Sequence, residues 1–445
     1  MIDLMDKILS LTKRRGFVFP GSEIYGGLQN SWDYGPLGVE LKNNIKNEWW
    51  KRFVHQRTDM VGIDAALIMN PKVWEASGHL KNFSDPLVEC PECKARFRAD
   101  QLPYALDKKG DWLCTSCRKG ILSDPRQFNL MLKTFLGPSE EQANVAYFRP
   151  ETAQAIFADF KNVLDTTRKK IPFGIAQVGK AFRNEITPGN FLFRTREFEQ
   201  MEIEYFIKEK GWEKHFEHWL EEMKKWFAYC GIPSINLHYE DIPDGDRAFY
   251  SKRTIDVEYD FPFGKKELMG LAYRGDYDLG KHTESSKADL SYTDLETGEK
   301  FIPHVIEPSL GVDRLVLAVL CAVYAEEEAR TAEKGETDKR VVLKFPYWMA
   351  PVKIAVLPLS KKPELSDVAK ELYQDLTKNF VCEYDETQSI GKRYRRQDEI
   401  GTPYCVTVDF DSLEDKAVTV RDRDTMKQDR VKIGELCDYL KNKLS

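Results

Sequence analysis

Phe182-Arg183-Asn184-Glu185 closes one extended run, and Phe193-Arg194-Thr195-Arg196-Glu197-Phe198-Glu199-Gln200-Met201-Glu202-Ile203-Glu204-Tyr205 opens the next. The first run begins at Gly174, the second continues to Ile207, and Thr187-Pro188-Gly189-Asn190 breaks the chain between them. Pro, Gly and Asn together are turn formers, so this stretch predicts a long hairpin with a wide polar loop. Counting by two places Phe198, Gln200, Glu202 and Glu204 on one face of the second strand. Met201, Ile203 and Tyr205 fall on the other. The apolar face suits a core. The carboxylate face suits either a solvated sheet surface or a floor for a cationic, hydrogen-bonding ligand.

A second segment repeats the pairing of arginine with carboxylate. His304-Val305-Ile306-Glu307-Pro308-Ser309-Leu310 reads as a strand, and Gly311-Val312-Asp313-Arg314 leads into an apolar helix, Leu315 to Val323. An arginine in the first turn of a helix opposes the macrodipole. It is favourable when an anion lies between it and the free N–H groups, as at phosphate-binding helix starts. Taken singly, Arg183 or Arg314 reads equally well as an ordinary ion-paired residue. Together they describe a phosphate-handling site.

The remaining features bound the molecule. A length of 445 residues predicts two or three domains. A net charge of −6 confines any nucleic-acid binding to a local basic patch. No run of eighteen apolar residues predicts a membrane span. Met1 to Arg15 reads as a short amphipathic helix rather than a secretory leader. Nine cysteines suit a reducing cytoplasm better than a disulfide framework. The pattern divides into a mixed helix and strand domain over 1–328, a charged linker over 329–340 and a small α/β domain over 341–445. In the last, Val352–Leu357, Tyr404–Phe410 and Ala417–Val420 read as strands, and Pro363–Phe380 and Val431–Leu444 as helices.

Within an insert at 88–122, Cys90-Pro-Glu-Cys93 and Cys114-Thr-Ser-Cys117 have the spacing of two zinc knuckles. The motif has no histidine or carboxylate, so a structural zinc site of four thiolates is expected, or a loop that keeps its fold without metal. Near the C-terminus, Lys392-Arg393-Tyr394-Arg395-Arg396 sits between Gly391 and Gly401. A basic helix carrying an aromatic suits RNA, and it also suits a solvated face.

These residues resemble class II aminoacyl-tRNA synthetases. Arg183 to Phe198 is similar to their motif 2, and Gly311 to Arg314 to their motif 3. Asp33-Tyr34-Gly35-Pro36-Leu37-Gly38, leading into Val39–Phe53, is similar to motif 1, the dimer-interface helix. Trp74–His79, Arg149–Gln154, Phe198–Glu202 and Glu307–Gly311 resemble the homodimeric glycyl-tRNA synthetases in particular. The likeness implies a mixed α+β fold. An antiparallel-sheet catalytic domain would carry the zinc-ribbon-like insert, and an α/β anticodon-binding domain would follow.

It also implies roles. Arg183, Glu185 and Arg314 would be catalytic. Arg183-Asn184-Glu185, Phe193-Arg194-Thr195-Arg196-Glu197-Phe198, Glu267-Leu268 and Gly311-Val312-Asp313-Arg314 would hold ATP and its Mg2+. Arg98, Glu151, Phe198-Glu199-Gln200-Met201-Glu202, Arg274 and Glu307-Pro308-Ser309-Leu310-Gly311 would surround glycine. Lys392, Arg393, Arg395 and Arg396 would meet tRNA(Gly). The basic segment also resembles the class IIa anticodon-binding domain, which favours RNA over a solvated face. Synthetases of the same subclass for proline, threonine or serine, and non-catalytic relatives on this fold, are the alternatives. The glycine-type tracts argue against the first. The presence of Arg183, Glu185 and Arg314 argues against the second.

Overall fold

The computed structural model describes residues 3–102, 111–139, 144–330 and 337–444. Its centre is a seven-stranded sheet. In chain order the strands are β1 (Met60–Gly62), β2 (Phe173–Phe182), β3 (Glu197–Ile207), β4 (Leu237–Asp241), β5 (Arg253–Phe261), β6 (Gly264–Gly275) and β7 (His304–Gly311). In space they run β4-β5-β6-β7-β3-β2-β1. Every neighbouring pair is antiparallel except β1 with β2. The hairpin read from the sequence is β2–β3, in register from Phe173↔Phe206 to Phe182↔Glu197. Its loop contains one helical turn, Phe191–Phe193.

The alternation of β3 is realised. Met201, Ile203 and Tyr205 are buried in the main core. Beneath that face lie α1 (Leu4–Arg15), α2 (Pro36–Trp50), α4 (Trp212–Tyr229) and α6 (Val312–Val323), with α3 (Ala153–Thr167) and α5 (Tyr277–Ser286) against the opposite face. The α6 sequence Val-Asp-Arg-Leu-Val-Leu-Ala-Val-Leu-Cys-Ala-Val is apolar almost all round, as a helix at the centre of a core must be. It starts at Val312, three residues before the expected Leu315, which sets Arg314 in its first turn. Helix α2 begins with Pro36 at a position where no N–H is needed. A Cβ on Gly38 would lie 1.8 Å from the Phe17 carbonyl oxygen, so only glycine lets this helix approach the N-terminal segment.

Strands Ser84–Glu89, Arg96–Arg98 and Arg126–Asn129 form a small sheet beside the cysteine loops. The insert therefore extends past the expected 88–122 on both sides. The stretch 329–340, expected as a linker, instead contributes to two paired strands, β8 (Tyr324–Arg330) and β9 (Thr337–Leu343). Its middle, 331–336, lies outside the described residues. Strand β8 follows α6 without a break. The end of β9 and the segment after it belong to the main core, which includes Leu343, Phe345, Met349, Ala350 and Val352. A boundary at 341 would cut that core, so the division falls near residue 353.

Beyond it lies a five-stranded sheet of β10 (Ile354–Pro358), β11 (Cys382–Tyr384), β12 (Tyr404–Val408), β13 (Ala417–Asp422) and β14 (Gln428–Lys432), ordered β11-β10-β12-β13-β14. Helices α7 (Pro363–Leu376) and α9 (Leu436–Leu444) pack on one face, and α8 (Ile390–Ile400) on the other. Val431 lies in β14 rather than in the closing helix, because Gln428–Lys432 pairs with β13. Helix α8 ends at Gly401, whose φ of +76° and tight packing on Phe345 both exclude a side chain.

Candidate active site

Strands β3 and β7 are neighbours, with Gln200 opposite Gly311 and Glu202 opposite Ser309. The pleat therefore turns Gln200, Glu202, Glu307, Ser309 and Gly311 into one cleft. The cleft has two lobes that share Arg183, Gln200, Glu267 and Ser309.

The first lobe is lined by the arginines. The Arg183 guanidinium sits between the Phe83 and Phe198 rings, 5.3 Å from each centroid. Its Nε donates to the Pro150 carbonyl at 3.1 Å. Among the described residues no hydrogen bond engages its two terminal nitrogens, which are free for an anion. Arg314 lies 4.5 Å over the Phe193 ring, and its Nη1 is 3.1 Å from a Glu267 carboxylate oxygen. That arginine holds Glu267, whose side chain is about half exposed, below the usual carboxylate range. Arg194 faces Glu185 at 3.9 Å. Glu185, Leu268 and Thr195 complete the wall.

The second lobe, about 260 Å3, has a floor of buried carboxylates. Glu202 accepts from the Thr152 N–H at 2.9 Å, Ser309 Oγ at 2.6 Å and Gln200 Nε2 at 2.8 Å, and from the Thr152 hydroxyl. Burial, and then the charge on Glu151, raise its pKa. Glu151 behaves oppositely. Burial opposes its charge, but His79 at 3.3 Å and Arg274 at 3.9 Å outweigh burial and hold it well below the usual range. Burial pushes Glu307 up to about 8, against the Arg274 guanidinium 2.8 Å away. Glu204, one pleat deeper, is raised well above the usual range by burial, and neither of its oxygens has a hydrogen-bond partner among the described residues. The buried arginine beneath this floor is largely engaged elsewhere. Arg274 forms a two-pronged pair with Asp278, at 2.7 and 2.8 Å, under the Tyr250 ring. A surplus of buried carboxylates beside an arginine-lined lobe is suited to one ammonium next to phosphate.

Several expected contacts lie elsewhere. Met201, Leu310 and Val312 are core residues, and Pro308 shares their side of β7. The same alternation that aims Glu202 at the cleft turns these away. Glu199 borders the first lobe rather than the second, and its carboxylate is taken by Lys42 and Lys46 of α2 at 2.6 and 3.2 Å. Asp313 borders the first lobe, but its oxygens are taken by Tyr34, Lys42 and the Glu199 N–H. Glu197 pairs with Lys180, and Asn184 and Arg196 line a separate groove beside the insert. Arg98 is bound to Asp85 and Asp100 at 2.7 and 2.8 Å and lines neither lobe, standing behind Glu185 and Arg194 of the first. Arg274 lies beneath the second lobe and orients Glu307 rather than lining the cleft. Sequence reading missed Tyr250, Asp256 and Arg247 of the second lobe, and the supporting His79, Gln154 and Asp278. His79 and Gln154 close the tracts Trp74–His79 and Arg149–Gln154, which carried no assigned role for them, and Asp256 is signalled by β5 alternation opposite Gly270, small where the floor must stay open.

The four cysteine sulfurs lie within 4.8 Å of one another. Cys90 and Cys117 are 3.7 Å apart, and Cys93 and Cys114 3.6 Å. A tetrahedron with Zn–S bonds of about 2.3 Å has edges of about 3.8 Å, so the donors fit zinc. Both loops turn alike, with the Lys94 and Arg118 amides donating at 2.9 Å to the Cys90 and Cys114 carbonyls.

The basic helix is only partly available. Arg393 is buried and donates to the Pro358, Asp385 and Leu359 carbonyls, so it is a structural residue. Arg396 is tied to Asp385 and the Thr387 carbonyl. Tyr394 bonds Thr407 and lies under Arg421. Lys392 is exposed and Arg395 half-buried.

A family model described as tRNA synthetase class II core domain (G, H, P, S and T) matches residues 136–323, and one described as Anticodon binding domain matches 353–443. Curated glycine–tRNA ligases are similar over the whole chain. That of Acetivibrio thermocellus is 55% identical, covering 99% of this chain and 98% of the relative. That of Clostridium acetobutylicum is 55% identical with the same coverage. That of Geobacillus thermodenitrificans is 54% identical, covering 100% and 98%. With the class II core model matching 136–323 and identity of this depth over its full length, the chain belongs to the glycine–tRNA ligase family of class II aminoacyl-tRNA synthetases.

Proposed function

We propose that the cleft activates glycine with ATP, forming glycyl-adenylate and pyrophosphate, and that glycine then passes to the 3′ end of tRNA(Gly). The observation that carries this reading is the buried carboxylate floor opening onto the arginine lobe. In adenylation the amino-acid carboxylate attacks the α-phosphorus of ATP. The protein's work is to align the two and neutralise charge. Arg183, with its terminal nitrogens free at the junction of the lobes, is assigned to the α-phosphate and the incoming carboxylate. Phe198 stacks on Arg183 and is placed to seat the base. Arg314 is assigned to the terminal phosphates, which would draw it from Glu267. Glu267, freed from that pair, would be available to the nucleotide's Mg2+. Glu151, Glu202 and Glu307 would receive the ammonium, and Ser309 would fill the space a Cβ needs.

The four-cysteine loops would hold one structural zinc, which fixes the insert and takes no part in the chemistry. The C-terminal unit, from about 353, is assigned to the anticodon arm, with exposed Lys392 and half-buried Arg395 as the cations left available. Assembly as a homodimer through the α2 region and a cytoplasmic location complete the reading. No helix among the described residues is long and apolar enough to cross a membrane.

Pyrophosphate exchange measured with each of the twenty amino acids tests this. Exchange should appear with glycine and be negligible with alanine, serine, threonine and proline. Exchange driven by a larger amino acid would overturn the assignment of the second lobe.

A further inference from the structure

Lys42 is a buried ammonium at the junction of α2, β3 and α6. Its Nζ is 2.6 Å from Glu199 Oε2 and 3.2 Å from Asp313 Oδ1. Asp313 Oδ2 accepts the Glu199 backbone N–H at 2.7 Å, and its Oδ1 also accepts the Tyr34 hydroxyl at 2.6 Å. The Tyr34 ring lies 4.2 Å beneath the Lys42 ammonium. Lys46, one turn along α2, faces Glu199 at 3.2 Å. Burial disfavours the Lys42 charge, but Asp313 and Glu199 outweigh it and raise its pKa.

The covalent neighbours give this arrangement its meaning. Glu199 lies between Phe198 and Gln200, which both line the cleft. Asp313 immediately precedes Arg314. Glu199 and Asp313 border the first lobe as well, but their carboxylates are taken by Lys42, Lys46, Tyr34 and the Glu199 N–H, so the residues that Lys42 holds are the chain neighbours of those assigned to reactants. One ammonium fixes the start of β3 relative to the first turn of α6, and so fixes Arg314 relative to Phe198 and Arg183. We propose that Lys42 is a positioning residue for amino-acid activation. It touches neither substrate, and it sets the separation between the motif 2 strand and the motif 3 arginine. The inference rests on the adenylation reading above.

One alternative bears on the test. Lys42 could serve only to neutralise two buried carboxylates, in which case its loss is a matter of stability. Lys42→Met keeps the stem and removes the charge. Lys42→Met with Glu199→Gln restores the charge balance without restoring the tether. Lys42→Arg keeps the charge and both donors. The readout is glycine-dependent pyrophosphate exchange, with the thermal midpoint measured alongside.

In Lys42→Met, kcat should fall at least tenfold while the glycine KM stays within about twofold, because the carboxylate floor is untouched. The double variant should recover the thermal midpoint and still show the reduced kcat. Lys42→Arg should recover at least part of kcat. Wild-type kcat in folded Lys42→Met, or recovery of kcat together with stability in the double variant, would overturn the proposal. The folded double variant decides the matter even if Lys42→Met does not fold. Wild-type protein inactive with glycine would instead refute the adenylation reading.

Discussion

Glu151 and Glu307 flank the same small space, and their surroundings set them in opposite states. Burial acts against charge at both. At Glu151 the His79 and Arg274 side chains prevail, and the carboxylate stays ionised. At Glu307 burial and two carboxylate neighbours prevail over Arg274, and the pKa rises to about 8. At neutral pH the free protein therefore carries a largely protonated Glu307. An ammonium favours the ionised form, so glycine binding should expel that proton. The sign follows directly. As pH rises from about 6.5 toward about 8.5, Glu307 ionises before glycine arrives, and the glycine KM should fall. In Glu307→Gln this fall should flatten. Glycine KM across that range, measured by exchange at saturating ATP, checks the point. A KM independent of pH in the wild type would contradict it.

At the scale of elements, the alternation of β3 and β7 sorts structural residues from site residues. Hairpin β2–β3 and the division of β3 into an apolar and a carboxylate face were legible from period-two counting. So was the strand-to-helix passage that carries Arg314. Counting did not prevent whole tracts being assigned to ligands. Met201, Pro308 and Leu310 sit on faces turned away from the cleft, and Glu199 borders it with a carboxylate already taken by Lys42 and Lys46. Helix α8 gives the same lesson at a period of 3.6. Its cluster of cations read as one RNA surface, but one turn of helix cannot aim consecutive residues the same way. Arg393 points inward to three carbonyls. Lys392→Glu with Arg395→Glu should therefore lower tRNA affinity and the steepness of its salt dependence, with glycine exchange unchanged. Filter binding across a salt series tests this, and an unaltered slope would place the RNA elsewhere. The cysteine knuckles were fully legible, because thiolate spacing alone encodes them. Elemental analysis should find one zinc per chain, and Cys93→Ser should lower both the metal content and the thermal midpoint. Metal-free protein of unchanged midpoint would rule out the structural role.

Across the whole molecule, the two units share a buried ionic junction. Asp398 of α8 accepts from Arg421 at 2.8 and 3.1 Å and from Arg340 of β9 at 3.2 Å. Arg340 also binds Glu327 of β8, the strand that continues from α6. Glu399, the next residue, meets Arg14 and Arg15 of α1. This junction was not legible from the chain alone, since 329–340 looks like a charged linker until its arginine finds a partner 58 positions away. Removing one member of a buried ion network leaves an uncompensated charge, typically a loss of about 3–5 kcal/mol. Asp398→Ala should show a destabilisation of that order in chemical denaturation, with both units affected. A loss below about 1 kcal/mol, the range of an exposed pair, would mean that the junction is not a stabilising contact.

The central claim is that glycine is read through its ammonium by buried carboxylates beside the phosphate-binding arginines. Its most direct test is pyrophosphate exchange at neutral pH with Glu151→Gln and Glu307→Gln, titrating glycine and ATP separately. Losing a charged hydrogen-bond partner costs about 1.5–3 kcal/mol, or roughly 10- to 150-fold in affinity. The glycine KM should rise by that amount in Glu151→Gln, and by less in Glu307→Gln, where the lost group is already largely neutral. The ATP KM should stay within about twofold in both. An unchanged glycine KM in both folded variants would contradict the account.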